Sequence, residues 1–124
     1  MIDWHEPLPD ECPPKDAFTP NENKFYRLVK TNPPTSSDFH SHRYTQKNKP
    51  FPGLSECIVR SVSIWSDPSK CVELKKLPTH KNKFIAELVL KPSDGLVAKT
   101  LTDIKHYSWW RSKATNVSEF NILP

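Results

Sequence analysis

Three stretches of the chain alternate side chains with the two-residue period of a β-strand, and prolines follow each of them. The first is Lys24–Lys30 (KFYRLVK), closed by Pro33 and Pro34. Tyr26 and Leu28 share one of its faces, and Phe25, Arg27 and Val29 share the other. The second, Ile58–Trp65, sets Ile58, Arg60, Val62 and Ile64 against Val59, Ser61, Ser63 and Trp65. The third, Phe84–Leu90, is stopped by Pro92-Ser93-Asp94-Gly95. Leu96–Lys99 reads as a fourth strand pairing back as a hairpin, and Val117–Leu123 as a closing strand. Ile104–Arg111 is aromatic and fits no single period.

Two helices fall between these strands. Thr35-Ser36-Ser37-Asp38 has capping-box spacing and predicts a helix from about Ser36 to Tyr44. Ser66-Asp67-Pro68 is a cap followed by proline in the first turn, opening a helix that runs to about Leu77. Residues 1–23 hold Pro7, Pro9, Pro13, Pro14 and Pro20, which lack backbone donors and fix φ. Trp4, Leu8 and Phe18 give this stretch something to bury, so it reads as an extended arm lying across a domain or a partner. The expected architecture is α+β: a single small domain over residues 24–124, with a mixed central sheet and two short helices, behind a proline-rich arm.

Composition narrows the function classes. The 124 residues suit one domain. Thirteen prolines, two glycines and a 35% apolar fraction point to a modest core with long irregular stretches. Two glycines cannot supply a phosphate-cradling loop or a nucleophile elbow, which disfavours P-loop, Rossmann and hydrolase readings. The net charge of +4 is mild and dispersed, which makes nucleic acid an improbable partner. It still favours an anionic ligand.

Cys12, Cys57 and Cys71 are odd in number and widely spaced, so all three are expected to be free thiols, with no zinc site. His40 and His42 would diverge on a helix, which argues against a shared metal. The start Met1-Ile2-Asp3-Trp4-His5-Glu6-Pro7 lacks the pattern of a signal peptide, and no apolar run approaches a membrane span. A cytoplasmic protein is expected.

An Arg between two apolar residues on one strand face needs a partner or a ligand. Lys24-Phe25-Tyr26-Arg27 resembles the opening strand of the ADP-ribosyltransferase-like fold, and Val62-Ser63-Ile64, followed by a helix, resembles its second element. The resemblance implies that Arg27 holds the ribose or phosphate of NAD and that Ser63 lines the nicotinamide side. The family's late-strand Glu pair is missing here; Glu119 stands alone, and His106-Tyr107-Ser108-Trp109-Trp110 has no counterpart in that pattern. The run from Phe25 through Pro33-Pro34-Thr35 and Asp38-Phe39 to this late segment also resembles small standalone bacterial proteins, a likeness that implies no activity.

The candidate catalytic set is therefore Arg27, Ser63, His106 and Glu119, with Tyr26, Tyr107, Trp109, Trp110 and Trp4 as ligand- or partner-binding residues. Neighbouring residues on a strand face opposite sides, so one of Trp109 and Trp110 is expected to be exposed. Two functions fit. One is an NAD- or nucleotide-binding domain, active or degenerate, with NAD as substrate and no resident cofactor. The other is a non-enzymatic accessory or antitoxin-like module that docks on a protein partner through its arm and aromatics.

Overall fold

The computed structural model describes residues 2–124. Six strands form one sheet: β1 (Asn23–Val29), β2 (Val62–Trp65), β3 (Phe84–Leu90), β4 (Gly95–Lys99), β5 (His106–Arg111) and β6 (Asn121–Ile122). Their spatial order is β4-β5-β2-β1-β3-β6. The fold is α+β, and the sheet is antiparallel at every pairing rather than mixed. β4 pairs with β5 at the far edge and not back onto β3, which corrects the expected hairpin.

The helices are shorter than the periodicity suggests. The first predicted helix breaks in two: a 3₁₀ turn at Ser36–Phe39, then α1 (His42–Thr45) capped by Ser41, whose hydroxyl accepts from Tyr44 N at 3.0 Å. His40 and Ser41 between them are extended. The second predicted strand is helical over its first two residues, Ile58 and Val59, and begins as a strand only at Val62. α2 (Glu56–Val59) is capped by Ser55, and Arg60 bonds back to Glu56 before the chain straightens into β2. α3 (Pro68–Lys75) starts as expected, with Asp67 accepting from Ser69 N at 2.8 Å and Pro68 in its first turn. The predicted closing strand is a 3₁₀ turn at Val117–Glu119 followed by the two residues of β6.

The core lies mainly on the sheet face that carries Phe25 and Val29 of β1, Val62 and Ile64 of β2, Leu88 and Leu90 of β3 and Trp109 of β5. Phe39 and Phe120 close over Trp109, each with its ring tilted steeply to it. Trp110 points to the opposite face, yet it is as fully buried as Trp109, which corrects the expectation that one indole is exposed. Both faces of β5 are covered, and each indole N–H has a partner: Trp109 Nε1 donates to Asp94 O and Trp110 Nε1 to Cys57 O, both at 2.9 Å.

The arm lies on its own domain. Trp4 bridges to Ser112, and Phe18 exchanges hydrogen bonds with Val97 of β4 at 2.7 and 3.0 Å. Arg60 Nη1 donates to Pro7 O at 2.6 Å. A disulfide joins Cys12 to Cys57, leaving Cys71 as the free, buried thiol. The expectation of three free thiols is thus overturned: sequence spacing carries no information about an arm that folds back onto α2. No helix among the described residues is long and apolar enough to cross a membrane.

Candidate functional site

The centre of the sheet is split. β1 and β2 pair only at Tyr26↔Trp65. Continuing that register would set Leu28 opposite Ser63 and Lys30 opposite Ser61. Instead the strands part, and these four residues line a cleft of about 430 Å³. That volume falls in the range of small-molecule sites. Trp65 stands at its closed end, where the pairing begins.

Arg27 spans the gap. Its Nε donates to Asp38 O and its Nη1 to Ser63 O, both at 2.8 Å. The guanidinium thereby ties β1 both to β2 and to the 3₁₀ turn where ladder bonds are missing. Burial draws its pKa down to about 10, against the opposing pull of the Asp38 charge, so it remains a cation at neutral pH. The two remaining walls bring Lys30, Lys83, His40, His42 and His80 to the same cleft, with Ser37, Ser41 and Thr45.

One carboxylate lines the cleft, and it is committed. Asp38 accepts from Lys30 N at 2.7 Å, from Thr35 N at 3.0 Å and from the Thr31 hydroxyl. Burial alone would raise its pKa, but these bonds and Arg27 together hold it below the usual carboxylate value. The positive groups feel one another. Lys83 is pulled down by burial, then by the charges of Lys30 and Arg27. His42 is pulled down by partial burial, then by Arg27 and Lys49.

The predicted site residues do not all meet here. Arg27 and Ser63 share the cleft. His106 is buried on β5, edge-on to Trp65 with ring centroids 4.9 Å apart, and its Nδ1 lies 3.2 Å from the Thr100 hydroxyl. It thus backs the wall without lining the cleft. Glu119 is exposed on the late 3₁₀ turn and borders a separate pocket of about 190 Å³ beside Glu87. Tyr26 donates to Glu87 at 3.1 Å. Tyr107 packs on Phe25 in the core, and Trp4 is held by the bridge to Ser112. Trp109 and Trp110 are structural, since neither has surface to offer a ligand.

Lys30, Lys83, His40, His42 and His80 are the cleft residues that sequence reasoning missed. His40 and His42 were discounted because a helix would splay them. The extended break at His40–Ser41 removes that helix, so both line the cleft. Among the described residues no group of three metal-ligating side chains converges. The fold and site define an α+β domain with a cationic cleft opened in mid-sheet. Comparison with protein-family models, curated proteins and solved structures finds no match to this chain.

Proposed function

We propose that the protein binds a phosphate-bearing anionic small molecule of the nucleotide class, NAD among them, in the cleft between β1 and β2. One observation carries this reading: Arg27, Lys30 and Lys83 line a single cleft whose one carboxylate, Asp38, is already saturated by hydrogen bonds from its own chain. Such a cleft has positive charge in excess, with the Ser37 and Ser63 hydroxyls to orient oxygens, those of Ser41 and Thr45 being engaged within the chain. Trp65 adds an aromatic wall for a base or nicotinamide ring.

The reading is of binding rather than turnover. Asp38 is not free to act as a base, and Glu119 and His106 lie outside the cleft. Calorimetric titration with NAD tests it. Lys30→Ala and Lys83→Ala should each weaken binding about five- to tenfold at low salt, with melting temperatures unchanged. Wild-type protein that takes up neither NAD nor a simple mononucleotide would remove the reading.

A protein partner is the second reading. Leu101 and Ile104, 55% and 78% exposed on the loop between β4 and β5, favour it. The backbone of the arm is engaged with its own domain at Trp4 and Phe18, which leaves the Phe18 side chain, 37% exposed, as its contribution to such a surface. Loss of a co-purifying protein on Ile104→Asp is the test. A cytoplasmic location would require a compartment in which the Cys12–Cys57 bond survives.

A further inference from the structure

We propose that His42 and His80 are proton-dependent ligand groups of the cleft, so that an oxyanion is taken up together with protons on these rings. This rests on the cleft being an anion site, and it adds how that site is regulated.

Three of the chain's five histidines line this one cleft. His40 is already occupied: its ring lies 3.9 Å from the Tyr44 ring and 5.7 Å from that of His5, and Arg111 bears on it. His42 and His80 are not. His42 is exposed at the start of α1, with its ring 5.6 Å from Phe51 and no hydrogen bond from its nitrogens. His80 sits in the loop before β3, and its Nδ1 is buried without a partner.

A neutral imidazole offers one N–H and one lone pair, whereas the imidazolium offers two N–H groups and a charge. The lone pair is useless to an oxyanion, and the second N–H is what a phosphate oxygen accepts from. The surroundings decide which form is present. At His42 burial first, and then the charges of Arg27 and Lys49, oppose the protonated ring; Lys30 of β1 and Lys83 before β3 line the same cleft. Asp38 is the one anion facing them. An incoming diphosphate reverses that balance, because its charge outweighs the repulsion and favours the protonated rings. By linkage, what raises the affinity of the rings for protons raises the affinity of the acidified cleft for the anion by the same factor. The cleft would then bind the anion more tightly as the pH falls and more weakly above neutrality.

The test is calorimetry with NAD, whose diphosphate stays fully ionised throughout the range, at about pH 8 and about pH 5.5. Each titration is run in two buffers of different ionisation enthalpy, and inorganic sulfate serves as a second, non-titrating probe. The proposal expects NAD affinity to rise about tenfold or more on acidification, with a buffer-dependent heat that reports proton uptake. His42→Gln and His80→Gln should each lose most of the acid-side gain and shrink the buffer-dependent heat with it. Binding that is equally tight at both pH values, with no buffer-dependent heat, would overturn this proposal and leave the anion site standing. Absence of NAD and sulfate binding at either pH would remove the site, and the proposal with it.

Discussion

Arg27 donates to the carbonyl oxygen of Ser63 at 2.8 Å, joining β1 to β2 at the point where their ladder stops. The same guanidinium reaches Asp38 O, so one side chain braces the cleft on two sides. Arg27→Lys keeps the charge but holds at most one of these carbonyls. Two charge-assisted bonds to backbone are at stake, and a loss of about 2–4 kcal/mol is expected. Urea denaturation of wild type and variant measures it. Equal stability would mean that the cleft holds its shape without the brace.

The Cys12–Cys57 bond closes a loop with a sequence separation of 45. Chain entropy alone assigns such a closure about 4 kcal/mol. Replacing both cysteines by Ser should lower stability by up to that amount, most of it from tethering of the arm. Peptide mapping without reduction should recover the Cys12–Cys57 pair, with Cys71 alkylated only after unfolding. Three labelled thiols in the unreduced, denatured chain would contradict the pairing.

Gly95 has φ +125°, and a Cβ added there would lie 2.0 Å from the Trp110 carbonyl oxygen. That contact is backbone to backbone across β4 and β5, so it cannot relax by rotating a side chain. Gly95→Ala should cost more than about 3 kcal/mol or prevent folding outright. Soluble yield and the thermal melt of the variant decide it. Gly53 has nothing within 4 Å, so Gly53→Ala serves as the control, strained only by its φ of +81°.

Stability should fall in acid. Burial first, and then the charge of Arg111, lower the pKa of His5 from 6.5 to about 4. Held neutral when folded, the ring titrates normally in the unfolded chain, which therefore binds more protons below about pH 6.5. Its contribution is complete above that value and is lost as the pH drops through about 4. His40, His42 and His106 are lowered too, each first by burial, and add to the trend. Denaturation midpoints measured across that window should decline, and His5→Phe, which keeps the ring, should remove the His5 share.

How much of this was legible depends on whether one local cause decided each element. Phe84–Leu90 forms the predicted strand, because alternation and bounding loops agree there. Ile58–Trp65 alternates just as well, yet Ser55 caps a helical turn that takes in its first two residues. Alternation of apolar side chains is compatible with one helical turn, so the pattern could not place that boundary. Trp109 and Trp110 do obey the strand period and face opposite ways. What the pattern does not carry is that α2 would cover the second face.

The site divides along the same line. Arg27 stood out as a charge on an apolar strand face, and Ser63 as a small polar residue on the next strand; both line the cleft. Lys30 and Lys83 looked like two of many scattered lysines, since their sequence separation hides that β1 and β3 are hydrogen-bonded neighbours. Glu119 reads as part of a closing strand, and the 3₁₀ turn that replaces the start of that strand sets it at another pocket.

The bridge between Phe18 and Val97 bears on how copies of this protein meet one another. β4 is an outer strand, and such a strand normally offers its free N–H and C=O groups to any extended chain in solution. At Val97 both groups are already taken by Phe18, two residues ahead of the buried ring of Pro20. A segment so rich in proline can satisfy that edge but cannot pass the ladder on to a further strand. The arm thus works as a terminator, ending the sheet where self-association and fibril growth would otherwise start.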